Sequence, residues 1–491
     1  MTCSLGPALA RRTLLINGAA AALSASVPWI RSAGAATALR LSADASSVVR
    51  LVPEPHLETA VWAYNGSVPG PEIRVQQGER LTVAVENHLR EETTIHWHGV
   101  RVPNAMDGVP HLTQKPVAPG ETFVYEFDCP DAGTFWHHPH QRSFEQVDRG
   151  LAGALIVEEP EPIQVDRDIT WLLDDWRLFK NASVSDDFGN MMDTAMSGHV
   201  GNTVTINGRL PETFGVRAGE RIRLRLINAA NARIFGLEFQ DHEPQVIALD
   251  GQPVEPHAPE GNRVVLGPAM RVDLVIDMSG GPGARFQVID TFYKDLEYRL
   301  LDLVYADVPL RKQPLDAPIR LPENPLAEPD LNASERHEVT FGGGMMSGMM
   351  GNGMGGGMMG GGMMGGMMMG GMMQGMRHDG VWTINGISAT GHVMEPMLSL
   401  TQDRPYVLAL HNDTAWRHPI HLHGHAFRVI SRNGRPTRYR EWQDTVLMAP
   451  RERAEIAFVA DNPGDWMVHC HILEYQAAGM MGVIRVSPEG T

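Results

Sequence analysis

One motif is written three times along the chain, and it limits the possible folds more than any single residue does. Asn65-Gly66 is followed by Gln77-Gly78-Glu79-Arg80, an alternating run Leu81-Thr82-Val83-Ala84-Val85, and a closing Asn87. The same order returns as Asn207-Gly208, Ala218-Gly219-Glu220-Arg221, Ile222-Arg223-Leu224-Arg225-Leu226 and Asn228. A looser third copy runs Asn385-Gly386, Gln402-Asp403-Arg404, Val407-Leu408-Ala409-Leu410 and Asn412. Self-similarity at this spacing implies three homologous units in series. Period-two runs bounded by Gly, Pro and Asn dominate each unit and long 3.6-period stretches are nearly absent, so each unit is expected to be a β-sandwich and the whole chain all-β. The expected boundaries are 40–159, 160–308 and 336–491, with a Pro-rich linker over 309–335 and a Met/Gly-rich insert over 342–376.

A chain of 491 residues is too long for one core, in keeping with three units of ordinary size. The net charge of -17 argues against a nucleic acid partner. Arg11-Arg12, an apolar stretch to about Ile30 and the small residues Ala33-Gly34-Ala35 have the layout of an export signal of the twin-arginine type over 1–35. That segment is too short and too rich in small residues for a membrane span, and the mature chain is expected to be an exported, periplasmic monomer without one. Only Cys3, Cys129 and Cys470 occur, which argues against a disulfide framework. Cys129 reads as a small buried apolar residue.

The first and third units share a feature that the middle one lacks. His96-Trp97-His98-Gly99 matches His421-Leu422-His423-Gly424, and the run Gly133 to His140 matches Gly464 to His471, pairing His138 with His469, His140 with His471 and Pro139 with Cys470. On a strand, residues i and i+2 face the same side, so each His-x-His offers two imidazoles to one ion or to two neighbouring ions. A lone His-x-His is usually structural. Four in matching repeat positions are a ligand set for a cluster of metals between the first and third units. His242 and His257 of the middle unit have no such spacing and read as surface or structural residues. The same alternation sends Cys470 to the opposite face, one residue from His469 and from His471. Imidazole and thiolate with a more distant thioether select copper of the electron-transfer kind, and His418, Cys470 and Met480 supply those atoms. The first unit has Thr93 in place of His418 and Pro139 in place of Cys470, so it holds no thiolate site.

With "HWHG", "FWHHPH", "HPIHLHGHAF" and "HCHILEYQAAGMM" in this order, the chain resembles the three-domain multicopper oxidases over nearly its whole mature length. The resemblance implies three cupredoxin-like Greek-key domains and four coppers. His96 and His421 would bind the type 2 copper, His98, His138, His140, His423, His469 and His471 the type 3 pair, and His418, Cys470, Met480 and a further histidine the type 1 copper. One-electron oxidations at Cys470 would then feed four-electron reduction of O2 to water. That further histidine is missing: Tyr475 stands at its position and no histidine follows His471. A phenol binds copper well only as phenolate, which leaves an empty site, a three-ligand site and a phenolate site open. Asp107 matches the family's acidic residue near the type 2 copper, a proton-handling group, although Asp-Gly turns are common in themselves. Gln476 stands where related bacterial oxidases often carry a Glu relay.

Residues 345–376 hold more than half of the 28 methionines, interleaved almost entirely with glycine. Such glycine density disfavours a stable helix, and thioethers favour Cu(I). Met358, Met359, Met363, Met364, Met367 and Met368 are candidate ligands for substrate Cu(I), as in periplasmic cuprous oxidases, which this insert resembles. Two functions follow as expectations: an exported oxidase of Cu(I) and small phenols that uses O2 and confers copper tolerance, or a copper-binding or structural protein on the same fold whose electron entry Tyr475 impairs.

Overall fold

The computed structural model describes residues 29–31, 39–313, 315–344, 381–391 and 395–489. Most of the expected export signal, Cys3 and the six methionines from Met358 to Met368 lie outside the described residues. Strand accounts for 47% of the structure and helix for 5%. Six sheets form three two-layer units, each with its own apolar core between the layers.

The repeated run occupies the same place in all three. Arg80–Asn87, Arg221–Asn228 and Pro405–Asn412 each pair in parallel with an earlier strand, at Leu39↔Val83, Arg167↔Ile222 and Glu335↔Tyr406. Each also pairs antiparallel with a later one, Thr122–Asp128, Arg271–Asp277 or Arg453–Val459. The Asn-Gly steps are turns in which Asn65, Asn207 and Asn385 adopt left-handed φ of 53°, 51° and 50°, a region that Asn and Gly tolerate better than other residues.

The closing asparagines do identical work three times. Asn87 donates to Glu91 O and Val117 O and accepts from the Leu89 amide, each within 2.9 Å. Asn228 bonds Arg233 O, Leu266 O and the Ala230 amide in the same way, and Asn412 bonds Trp416 O, Ala449 O and the Thr414 amide. Each side chain thereby ties down the loop leading into the next strand. In the first and third units that strand is His96–His98 or His418–Leu422; in the second it is Phe235–Phe239, which has no ligand.

One expected boundary shifts, and the Pro-rich segment is more than a linker. Phe341, Gly342 and Gly343 pair with Ile384, Thr383 and Trp382, so the insert begins after Gly344 rather than at Gly342. The Pro-rich segment is fastened to the body: Asn324 bonds Ala132 N and O and Gln252 Oε1 at 2.8–2.9 Å, and Leu321 is buried. Among the described residues no helix is long and apolar enough to cross a membrane.

Candidate metal centre

Strand register brings the histidines together. In the first unit His96 lies opposite His138, and in the third His421 lies opposite His469, so the same pairing is built twice. The two pairs of strands meet face to face, and the eight imidazoles converge in a buried space. His98, His138 and His471 form one triplet and His140, His423 and His469 another, while His96 and His421 join His98 in a third group, the nitrogen atoms within each group lying no more than 4.8 Å apart. His423 Nε2 lies 3.0 Å from His469 Nε2, and His471 Nε2 lies 3.4 Å from His138 Nε2.

The outer nitrogens are occupied, which fixes the direction in which the inner ones point. His96 Nδ1 donates to Asp107 O, His138 Nδ1 to Pro139 O, His421 Nδ1 to Asp444 O and His469 Nδ1 to Cys470 O, all at 2.8–2.9 Å. His96 Nε2, His421 Nε2 and His98 Nδ1 are buried and have no protein partner. Burial and neighbouring imidazoles hold the pKa of His98, His138, His140, His423, His469 and His471 well below the ordinary value, so these rings are neutral and keep a lone pair. Partnerless lone pairs facing one another in a dry space are costly unless a cation lies between them. The donor set of two imidazole triplets and two further imidazoles therefore fits copper.

Two aspartates hold the rear of this arrangement in a pseudo-symmetric way. Asp107 accepts from His96 of its own unit through its carbonyl, and from His423 of the third unit through its carboxylate at 2.9 Å. Asp444 accepts from His421 of its own unit through its carbonyl, and from His98 of the first unit through its carboxylate at 3.2 Å. The grouping of Asp107 with His96 and His423 is this outer contact rather than a further ion site, because the Nε2 atoms of both rings face the cluster. Arg271 of the middle unit grips Asp444 with two bonds of 2.8 and 2.5 Å, and Asp250 accepts from the Asp444 and Thr445 amides. Gly99, at φ 83°, lies against this pair: a Cβ there would overlap Arg271 and Asp444. Asp444, Arg271 and Asp250 carry no motif in the sequence; Gly99, directly after His98, was their one local trace.

On the far side of the strand, Cys470 is fully buried in the core of the third unit, and its Sγ lies 3.5 Å from His418 Nδ1. The closing Asn412 sets that ring. Thr414 donates to Asn412 Oδ1, and His418 Nε2 donates to Thr414 Oγ1, each at 2.8 Å, so the His418 Nδ1 lone pair faces the thiol. Burial lowers the His418 pKa to about 3 and pushes that of Cys470 up, so a thiolate needs a cation beside it. Met480 is buried in the same core, and its carbonyl accepts from the Cys470 amide at 3.1 Å. Tyr475 packs against Trp382 in a tilted pair with ring centroids 4.2 Å apart and donates its hydroxyl to Met196 O of the middle unit. Burial, then the neighbouring Cys470, pushes its pKa up. The phenol is thus neutral and engaged elsewhere, which disfavours the phenolate option.

Cys129 is free and buried, its thiol pushed up to about 12 by burial. His242 is buried and bonds Tyr305 Oη at 2.6 Å, and His257 stacks on Tyr439 of the third unit at 4.1 Å; both are structural. Gln476 lies with its amide 3.5 Å from His140 Nε2 and accepts from Ser143 Oγ at 3.2 Å.

Family models described as multicopper oxidase match residues 47–162, 167–295 and 366–490. The multicopper oxidase MmcO of Mycobacterium tuberculosis is 30% identical over 95% of this chain and 94% of its own length. Among solved structures, the multi-copper oxidase of Pseudomonas thermotolerans superposes with a TM-score of 0.79 at 34% identity, covering 93% of this chain and all of that one. The Campylobacter jejuni multicopper oxidase, described as a metallo-oxidase, gives a TM-score of 0.74 at 27% identity over 94% and 96% of the two chains. The repeats, the eight converging imidazoles and these likenesses agree: the chain belongs to the multicopper oxidases, copper-dependent oxidoreductases built from three cupredoxin-like domains.

Proposed function

We propose that this oxidase couples one-electron oxidation of Cu(I), with small phenols as lesser donors, to four-electron reduction of O2 to water, in an exported compartment where the reaction protects against copper. The observation that carries the reading is the placement of Cys470: 3.5 Å from His418 and one residue from His469 and His471, which belong to different triplets. Bound copper would supply one-electron acceptance at Cys470 and dioxygen reduction at the histidine cluster. The chain supplies a dry, prearranged cage, a covalent path between the two sites, and imidazole tautomers already set for binding. The metallo-oxidase description of the C. jejuni relative supports a metal ion as donor. Oxygen uptake by copper-loaded protein given Cu(I) tests it; a protein that binds copper yet consumes no O2 with any donor is the copper-binding alternative, which the tethered, neutral Tyr475 favours.

Tyr475→His restores the missing ligand. The expected result is a stronger thiolate-to-copper absorption and about a tenfold faster donor oxidation, at the low end of the 10–100-fold by which even an outer partner of a metal ligand changes activity. Unchanged spectra and rates would clear Tyr475 of any part in limiting the site. Asp107→Asn is expected to lower O2 reduction by about 10–100-fold while leaving the Cys470 absorption unchanged, because the Asp107 carboxylate lies 2.9 Å from His423 Nδ1 and also 3.2 Å from His96 Nδ1; near-full activity would remove its proposed part in catalysis.

The Met/Gly insert is assigned the capture of Cu(I), with Met358, Met359, Met363, Met364, Met367 and Met368 as ligands, on the chemistry of thioethers. Deleting residues 345–376, beyond the paired strand, should raise the KM for Cu(I) several-fold and spare or raise phenol oxidation. Equal Cu(I) kinetics in both proteins would dispose of that assignment.

A further inference from the structure

A second buried polar cluster lies where all three units meet, and the chemistry above leaves it unused. Two short helices, Ser143–Gln146 and Leu473–Ala477, follow the ligands His140 and His471, pack on one another, and lead Asp148 and Glu474 toward a turn of the middle unit, Asp193–Ser197, and the His199 beyond it. Asp148, Asp175, His199 and Glu474 are each at most 3% exposed. His199 donates through Nδ1 to Asp193 at 2.7 Å and turns Nε2 toward Asp148 Oδ2 at 3.6 Å. Both oxygens of Asp148, Oδ1 of Asp175, Oε2 of Glu474 and Nε2 of His199 have no hydrogen-bond partner in the protein.

Charge makes the cluster's state plain. The carboxyls facing it are Asp148, Asp174, Asp175, Asp193 and Glu474; the cations are Arg177, on Asp193, and Arg233, on Asp175, with His199 between. Acids outnumber bases, so buried carboxyls here retain protons. Burial, with Asp175 and Glu474 beside it, pushes Asp148 up to about 7 against the pull of His199 and Arg177. Burial also raises Glu474, and although burial opposes it, the bond to Asp193 and the charges of Asp148 and Glu474 raise His199. Gln476, nearer the cluster, cannot hold a proton. The nearest groups of three imidazole or carboxylate atoms close enough to share an ion are all in the copper cage, so the described residues do not preform a metal site here.

We propose that Asp148, His199 and Glu474 form a proton-holding site that takes up protons from solvent as electrons arrive at the histidine cluster. This rests on the oxidase reading. Each electron delivered to a buried centre adds a negative charge that strengthens proton binding by acids nearby, and reducing one O2 to two waters consumes four electrons and four protons. The donors supply the electrons and solvent supplies the protons through this site.

The test reads proton uptake on anaerobic reduction of the copper-loaded protein with a pH indicator, so it does not depend on O2 turnover. Near neutral pH the wild type is expected to take up about one proton per chain more than Asp148→Asn or His199→Gln, and in O2 uptake both variants are expected to fall about tenfold on the alkaline side of the pH profile, with Asp148→Glu restoring it. Variants with full copper and the same proton count and pH profile as the wild type would overturn the proposal, as would a further metal ion bound by the wild type and lost in Asp148→Asn. The wild type alone also decides it: an infrared difference spectrum on reduction should show a change in protonated carboxyl absorption, and a flat spectrum there would contradict it. Absence of O2 uptake by the wild type would instead strike the oxidase reading.

Discussion

His423→Ala is expected to abolish O2 reduction, lowering it by more than about 100-fold, the upper range for loss of even an outer partner of a metal ligand. The substitution removes one imidazole of a triplet, separates it from His469 at 3.0 Å, and strands the Asp107 carboxylate that His423 held at 2.9 Å. Asp107 is fully buried, so the carboxylate then lacks one of its two imidazole partners in a dry site. Copper content should fall by at least one ion per chain, whereas the Cys470 absorption, on the opposite face of its strand, should persist. Metal analysis with steady-state O2 uptake checks both. Substantial residual turnover would mean that O2 is reduced elsewhere.

Arg271→Met should be the most damaging change outside the ligands. Arg271 is fully buried, binds Asp444 twice, and also donates to Thr134 O and Asp250 O, so one side chain of the middle unit fastens the first and third units. Met fills similar volume but leaves Asp444 and Asp250 as close, uncompensated buried acids, at a cost of about 3–5 kcal/mol. Thermal unfolding should drop accordingly, and copper affinity with it, because Asp444 orients His98 and His421. A variant that melts and binds copper as the wild type does would show that Asp444 needs no counter-ion.

The units, their strand character and all eight cluster histidines were legible because each depends on local pattern: period-two alternation, left-handed Asn-Gly turns and His-x-His on one face of a strand. Repetition did the rest, since a motif copied between the first and third units marks the two halves of one cage. Asp444 was not legible, although it mirrors Asp107, because it lies on a different loop of its unit and acts through contacts that close only when three units meet. Arg271 was hidden for the same reason, being one arginine in an alternating strand. The proton-holding cluster combines Asp148, His199 and Glu474 from three units, and no spacing in the chain relates them. Tyr475 was recognisable as a departure, but its bond to Met196 O depends on a turn of the middle unit that nothing in the surrounding motif announces.

The proposed oxidase requires a complete histidine cage joined to a copper site at Cys470 that still accepts electrons. Copper content per chain, measured with visible and electron paramagnetic resonance spectra on fully copper-loaded protein, tests it most directly. Four coppers per chain, the family's complement, are expected, with a thiolate-to-copper band that a donor bleaches and O2 restores. Three coppers, no such band and no bleaching would contradict it, leaving an intact cage whose electron entrance is closed.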